Sequence, residues 1–197
     1  MTETTSAGLL VGSDGLSRCA WAGSAPEYLA YHDDEWGRPV HGETALYERF
    51  TLEAFQSGLS WITILRKRPA FRAAFAGFDA ERVAEFDDAD RARLMADAGI
   101  VRNTRKVDAA IVNARAVLDL RGEGGLDAFV WSFAPEHHQP PRTVADFRAT
   151  SPESVALATG LKKRGFVFVG PTTAYAAMQA CGLVDDHLAG CFRAATT

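Results

Sequence analysis

The spacing of the apolar side chains is the feature that most constrains the fold of this chain. Apolar residues recur every three or four positions in two successive stretches, at Leu46, Phe50 and Ala54 and then at Phe71, Phe75 and Phe78. This spacing places each set on one face of a helix. Strand-like alternation is hard to find, and "FVFVG" at 166–170 fits a short strand no better than a buried turn or a helix start. We therefore predict an all-α protein.

Residues 88–120 are predicted to form two helices joined by a tight turn. "DDADRARLMADAG" begins with acidic residues and ends at Gly99, as helices commonly do, and "IVRN" then turns the chain. A second helix is predicted after this turn from an apolar face made of Val107, Ala110, Ile111, Ala114, Val117 and Leu118. The pattern predicts a helical hairpin.

The length of the chain gives no reason to expect several independent domains. A chain of 197 residues is enough for one sizeable core. We expect residues 1–17, rich in Thr, Ser and Gly, to be a mobile leader, residues 18–193 to form a single domain, and residues 194–197 to be a tail. Residues 121–153 are dense in Gly and Pro, which predicts a long connection with short helical turns.

Apolar runs and cysteines both indicate where the protein is located. No apolar run approaches the roughly 20 residues that a membrane span needs, and "GLLVG" is too short for the apolar core of a signal peptide. Three cysteines are too few, and odd in number, for a disulfide framework, which favours a reducing compartment. We expect a soluble, cytoplasmic protein that does not contact a membrane.

The distribution of positive charge is more informative than its sum. A net charge of -4 argues against a protein that coats nucleic acid through a general positive field. Nevertheless, nine of the 21 Lys and Arg residues fall in three short clusters, at 66–68, 102–106 and 162–164. Each cluster alone fits a phosphate contact and an ordinary solvated surface equally well.

Cysteine and histidine pairs lie near both ends of the chain. "VDDHLAGCFR" places His187 and Cys191 four positions apart, on one face if the segment is helical, and Cys19 and His32 form a matching pair upstream. Thiolate and imidazole suit zinc, and four protein ligands leave no open position, as in structural sites. The alternative is a core histidine and a small buried cysteine without a metal. That alternative is favoured for the remaining candidates, which are His41, His137, His138 and Cys181.

A carboxylate among aromatic residues marks the N-terminal third of the chain. Glu53 shares a helical face with Leu46 and Phe50, which predicts that its carboxylate points inward, where charged groups need a partner or a task. The aromatic residues of the same region are Trp21, Tyr28, Tyr31, Trp36 and Trp61. They fit a binding pocket or core packing, and Glu53 fits a functional acid or a structural carboxylate bonded to backbone or tyrosine.

Several stretches together resemble the DNA-3-methyladenine glycosylase I family. They run in order from residue 18 to 193 and are "RCAW", "YLAYHDDEWG", "SGLSWITIL", "DAGIVRNTRKVDAAIVNAR", "FVWSF", "LKKRGFVFVGPTTAYAAMQACGLVDDH" and the terminal Cys191. The resemblance implies a monofunctional enzyme that hydrolyses the N-glycosidic bond of 3-methyladenine in alkylated double-stranded DNA and so initiates base excision repair. It also implies a two-lobed helical bundle of the helix-hairpin-helix superfamily, and we expect a monomer.

The resemblance further implies roles for individual residues. One structural zinc ion per chain would join the N- and C-terminal segments through Cys19, His32, His187 and Cys191. Glu53 and Tyr31 would act as the catalytic pair that hydrogen-bonds the edge of the base. The base would be stacked and enclosed by aromatic side chains, namely Trp61, Tyr28, Trp36 and Trp21.

Contacts with DNA follow from the same resemblance. Gln56, Gly58 and Leu59 would form a wedge that fills the gap left by the flipped nucleotide, although a plain helix end capped by Gly58 fits the sequence equally well. The hairpin at Gly99 would hold a phosphate through backbone N–H groups. Basic side chains would contact further phosphates, from the hairpin by Arg102, Arg105 and Lys106 and from the other lobe by Lys162, Lys163 and Arg164.

Overall fold

A computed structural model describes residue 5 and residues 7–194, and these residues are mostly helical. The prediction of an all-α protein is confirmed at this level, because a two-stranded sheet is the only β-structure of the described part. Its helices are α1 (Pro26–Asp34), α2 (Glu43–Gln56), α3 (Trp61–Ala74), α4 (Ala80–Ala84), α5 (Asp88–Ala96), α6 (Thr104–Leu120), α7 (Gly125–Trp131), α8 (Pro152–Lys163) and α9 (Pro171–Ala180). None of these helices is long and apolar enough to cross a membrane.

A short β-hairpin precedes the helices. Strand β1 (Leu9–Val11) pairs antiparallel with β2 (Ser17–Cys19), so that Leu9 lies opposite Cys19. This hairpin carries no signal in the sequence, because three-residue strands are too short to establish an alternating pattern. The leader prediction for residues 1–4 and 6, and the tail prediction for residues 195–197, lie outside the described residues.

Helix α2 runs through the core and packs against α3, α6, α7 and α9. The apolar stripes that predicted helices all face inward, and Leu46, Phe50 and Phe75 are buried. Phe71, Phe75 and Phe78 lie near one another as stacked rings, with 5.7 Å between the centroids of the last two. Burial of this face supplies most of the free energy that holds α2 in place.

The two helices predicted at about 88–120 are confirmed as α5 and α6. Asp87 caps α5 with a side chain that accepts from the amide of Asp90, and Asn103 caps α6 by accepting from the amide of Lys106 at 3.2 Å. Such caps satisfy amides that have no partner inside the helix. Lys67 of α3 fixes the turn between them by donating to the carbonyl of Gly99 at 3.2 Å.

The structure decides two local conformations that the sequence leaves open. Residues 184–193 are not helical, so His187 and Cys191 do not share a helix face, and a turn at 189–190 brings them together instead. Residues 166–170 are not a strand. The side-chain amide of Asn113 holds this segment by bonding both the N–H and the carbonyl of Val167, as a neighbouring strand otherwise would.

Candidate active site and metal centre

A cavity of about 280 Å³ opens between the N-terminal helices and α9. It is lined by Trp21, Tyr28, Tyr31, Trp36, Glu53, Gln56, Trp61, Ala176 and Gln179. All six residues predicted for the pocket are therefore brought together, although they come from a 3-10 turn, two helices, the segment after α1 and the first residue of α3. We call this cavity the aromatic pocket.

The walls of the aromatic pocket are held by ring contacts. Trp21 meets Tyr28 and Trp36 edge-to-face, at centroid distances of 5.7 Å and 5.2 Å. The rings of Tyr31 and Trp61 lie 5.4 Å apart. Tyr28 also accepts a hydrogen bond from the amide of Ile62 at 2.8 Å, at the N-terminus of α3 where amides lack helical partners. These contacts leave flat apolar faces around an opening.

Glu53 reaches the pocket from α2 and is only 6% exposed, so the predicted inward orientation is confirmed. No described residue is hydrogen-bonded to its carboxyl group, which disfavours the structural carboxylate bonded to backbone or tyrosine. Burial raises the pKa of Glu53 to about 8, against an opposing effect of the charge on Arg49. Burial and the charge of Glu53 also raise the pKa of Tyr31.

One nitrogen of a pocket residue and one of a residue next to Glu53 on α2 lack a hydrogen-bond partner in the described part of the chain. Within the described residues, Nε1 of Trp61 and Nη1 of Arg49 are buried without a hydrogen-bond partner. Arg49 lies one turn before Glu53 on α2, and its other terminal nitrogen is bonded to Glu35 at 2.8 Å. Unsatisfied buried groups are rare in native proteins, so their concentration here is typical of a binding site.

Sequence reasoning missed three residues of this region, namely Arg49, Ala176 and Gln179. Arg49 could have been found from the sequence, because it lies four positions before Glu53 and residues four apart on a helix share a face. Ala176 and Gln179 carried none, since α9 is more than 100 residues away along the chain and only the fold brings it to α2.

A second group of side chains lies beneath the pocket and is suited to a metal ion. Cys19, His32 and Cys191 are buried and offer ligand atoms that all lie within 4.8 Å of one another. The amides of Leu188 and Arg193 donate to the two sulfur atoms at 3.3 Å and 3.4 Å. A hydrogen bond from Cys19 lowers the pKa of the Cys191 thiol, which favours the thiolate form that binds metals.

His187 lies beside this group and carries a free ligand atom. Its ring centroid is 4.8 Å from that of His32, and its Nε2 is buried with no hydrogen-bond partner in the described part of the chain. Asp33 holds Nδ1 of His32 at 2.8 Å, and Asp185 holds Nδ1 of His187 at 2.6 Å. Each carboxylate keeps the proton on Nδ1 and leaves Nε2 as an electron-pair donor, as in protein zinc sites.

The other histidines lie elsewhere. His41 is exposed, stacks on Trp131 and is bonded to Asp127 at 3.0 Å, and His137 is also exposed, so neither is a core histidine. His138 is partly buried and is bonded to Asp186 at 2.8 Å. Cys181 is buried, as the sequence predicted.

The predicted wedge residues occupy the turn between α2 and α3. Gln56 ends α2, Gly58 has a φ of +81° that favours glycine, and Leu59 is 41% exposed. The ammonium of Lys106 lies behind this turn and donates to the carbonyls of Phe55 and Ser57 at 2.8 Å and 2.6 Å. Lys106 is buried, so it braces the turn from within.

The remaining basic residues differ in whether their charges are already paired within the protein. Arg102 and Arg105 are exposed beside the α5–α6 turn that contains Gly99, and Lys162 and Lys163 are exposed at the end of α8. Arg164 instead packs over the Phe129 ring at 4.3 Å and forms an ion pair with Glu123 at 2.7 Å. Four of these cations are therefore available to a partner, whereas the charge of Arg164 is already paired.

Comparisons with known proteins agree on one family. The sequence profile described as methyladenine glycosylase matches residues 21–194. DNA-3-methyladenine glycosylase 1 of Escherichia coli K12 is 49% identical over 182 residues, which cover 89% of this chain and 96% of that protein.

Two solved structures have the same fold over nearly their whole length. A crystal structure of 3-methyladenine DNA glycosylase I superposes with a TM-score of 0.86 at 46% identity, covering 90% of this chain and all of that one. The Staphylococcus aureus enzyme, solved to explain recognition of 3-methyladenine, superposes with a TM-score of 0.86 at 33% identity and covers 91% of this chain and 97% of that one.

Proposed function

This chain belongs to the methyladenine glycosylase family, and from that premise we propose that it is a DNA glycosylase which hydrolyses the N-glycosidic bond of 3-methyladenine in alkylated double-stranded DNA. Release of the base would initiate base excision repair. The observation that carries the proposal is Glu53, a buried carboxyl group that lines an aromatic pocket and has no hydrogen-bond partner among the described residues.

The substrate explains why such a pocket suffices. Methylation at N3 makes the base cationic within the nucleoside, which weakens the glycosidic bond before any protein group acts. With a pKa of about 8, Glu53 is mostly neutral at pH 7 in the empty pocket, so its burial costs little there. A cationic base favours loss of the Glu53 proton, and the new carboxylate then attracts the cation in a water-poor site. Neutral adenine gains no such attraction.

The other pocket residues support this selection. Tyr31 and Glu53 hydrogen-bond the edge of the base, and the faces of Trp61, Tyr28, Trp36 and Trp21 stack on it and enclose it. Aromatic faces also attract a cation more strongly than a neutral ring. Water attacks the sugar as positive charge develops there, and no lysine acts as a nucleophile, so the enzyme is monofunctional.

Duplex DNA must lose one nucleotide from its stack before the pocket can take it. Gln56, Gly58 and Leu59 serve as the wedge, supported by the exposure of Leu59 and by the positive φ of Gly58. Lys106 keeps this turn rigid by its two bonds to backbone carbonyls. This role differs from the phosphate contact expected from the sequence.

The α5–α6 pair supplies the helix-hairpin-helix element at about 88–120. The turn around Gly99 and the N-terminus of α6 hold a phosphate, and the exposed Arg102 and Arg105 add charge at the same place. Lys162 and Lys163 contact the backbone from the second lobe, with Arg164 held in place by Glu123.

Cys19, His32, His187 and Cys191 hold one zinc ion per chain. The fit rests on the grouped sulfur and imidazole atoms, the unpartnered Nε2 of His187 and the carboxylate behind each histidine. A zinc ion with four protein ligands would supply structural cross-linking of the chain ends rather than an activated water. It would join residues 19–32 to residues 187–191 within a single domain of residues 18–193.

The setting of the reaction follows from the same proposal. One chain lines the whole aromatic pocket, so a monomer is sufficient for the reaction. The named relatives include a bacterial enzyme, and bacterial DNA lies in the cytoplasm, which we propose as the location of this protein.

The deciding experiment measures free 3-methyladenine released from methylated duplex DNA. We expect release by the unaltered protein and a loss of about 100-fold in rate for Glu53→Gln, with affinity for undamaged DNA nearly unchanged. Glu48→Gln is the matched control, because Glu48 is a buried carboxylate on the same helix that is paired with Arg72 and lies outside the pocket. It should retain activity wherever it folds.

Three outcomes would reject parts of the proposal. Absence of release at stoichiometric enzyme would leave a non-catalytic binder of damaged or bent DNA, and equal release by Glu53→Gln would remove Glu53 from the reaction. Borohydride should trap no covalent adduct with the DNA, and a trapped adduct would indicate a lyase.

A further inference from the structure

Gln179 lies on α9 between the aromatic pocket and a second, larger cavity. It lines the aromatic pocket together with Glu53. Its side-chain Nε2 donates to Oδ2 of Asp186 at 2.7 Å. Asp186 lines the second cavity, which has a volume of about 580 Å³. Gln179 therefore lines one cavity and is bonded to a residue that lines the other.

Asp186 is a buried carboxylate with its hydrogen-bonding capacity in use. It is 4% exposed, Oδ1 accepts from Nε2 of His138 at 2.8 Å, and Oδ2 accepts from the hydroxyl of Tyr175 at 2.8 Å as well as from Gln179. Both carboxyl oxygens of Asp186 therefore act as acceptors in this network.

An acceptor at this position determines which way the Gln179 amide faces. Because Oδ2 of Asp186 accepts from Nε2 of Gln179, the nitrogen of this amide is already bonded, and Oε1 is the polar atom of the side chain that remains available. No donor in the described part of the chain is bonded to Oε1 of Gln179. Nε2 of Gln179 is thus bonded within the protein, whereas Oε1 can accept a hydrogen bond from a ligand.

We propose that Gln179 is a specificity-determining residue whose Oε1 accepts a hydrogen bond from the exocyclic amino group of the methylated adenine, with Asp186 as the positioning residue that fixes this orientation. The inference rests on the proposed function. Adenine carries an amino group, a donor, on C6 of its ring, whereas guanine carries a carbonyl oxygen there. That oxygen is an acceptor and cannot form a hydrogen bond with Oε1 of Gln179, which is also an acceptor. Gln179 thereby favours 3-methyladenine over 3-methylguanine.

The test measures both bases released from the same methylated duplex DNA under single-turnover conditions. Gln179→Met keeps the length of the side chain and removes the amide. We expect the ratio of 3-methyladenine to 3-methylguanine release rates to fall about tenfold, the effect of one hydrogen bond. Asp186→Asn should lower the same ratio, because the Gln179 amide can then turn its N–H₂ toward the base.

Tyr175→Phe is the matched control, since it removes another hydrogen bond to the same oxygen of Asp186 while leaving Gln179 in place. It should lower the melting temperature but not the ratio. An unchanged ratio in Gln179→Met, or an equal fall in Tyr175→Phe, would overturn the inference, and Asp186→Asn decides if Gln179→Met does not fold. Failure of the unaltered protein to release either base would instead reject the proposed function.

Discussion

Replacing Glu53 by Gln is expected to change how the stability of the protein depends on pH, in a direction opposite to that of an ordinary surface acid. The folded protein holds the Glu53 proton up to a pKa of about 8, whereas the unfolded chain releases it near 4.5. Between these values the folded state binds more protons than the unfolded state, so the Glu53 contribution to stability falls as pH rises.

The size of this effect follows from the two pKa values. A difference from 4.5 to about 8 corresponds to on the order of 5 kcal/mol when Glu53 is fully ionised in the folded protein. Glutamine is neutral at every pH, so the variant lacks this cost, and like the protonated acid it buries a polar group without a partner. We therefore expect the two proteins to have similar stability near pH 5 and Glu53→Gln to be the more stable one near pH 9.

The assay is urea unfolding of both proteins between pH 5 and pH 9 at equal zinc content. The difference between the two unfolding free energies is the informative quantity, because groups common to both proteins cancel. Glu48→Gln is the control, since it breaks an ion pair with Arg72 and should lower stability at neutral pH. A difference between Glu53→Gln and the unaltered protein that stays constant with pH would mean that Glu53 is not a perturbed acid, and the reasoning about the pocket would fail.

Three further variants test other parts of the molecule. Cys191→Ala should lower both zinc content, measured by elemental analysis, and the melting temperature, with residual excision where the protein stays folded; unchanged zinc content would exclude Cys191 as a ligand. Leu59→Ala should slow excision about tenfold from duplex DNA and little from single strands, and equal slowing on both would contradict a wedge. Arg102→Ala should weaken DNA binding and reduce its salt dependence by about one counterion, and a salt slope that does not change would remove this residue from the interface.

Features that depend on local periodicity were predictable from the sequence. The inward face of the helix containing Glu53 could be predicted, because Leu46 and Phe50 lie two turns and one turn before that residue. The α5–α6 pair was equally predictable, since the acidic residues at the start of α5, Gly99 and the apolar face of α6 all agree. These signals act within a few residues and need no knowledge of distant contacts.

Features created by tertiary contact were not predictable in this way. His187 and Cys191 meet through a turn rather than a helix, so their four-residue spacing was informative for a reason other than the one first inferred. Lys106 belongs to a basic cluster in the sequence, yet its ammonium group is bonded to the carbonyls of Phe55 and Ser57 and does not lie at the surface. The sequence near Gln179 gives no indication of a role for this residue, because the proposed role depends on its contacts with Asp186 and with the aromatic pocket.

The metal centre and the aromatic pocket are neighbouring parts of one packed assembly. Trp21 lies edge-on to His32 at a centroid distance of 5.2 Å, and Trp36 lies edge-on to His187 at 4.7 Å. Both tryptophans line the pocket, so the proposed zinc would hold not only the chain ends but also two of the pocket walls. Because rings in a dense interior move together, a ligand loss that rotates either histidine would also displace its tryptophan. A structural ion can therefore affect selectivity for the base without touching the substrate.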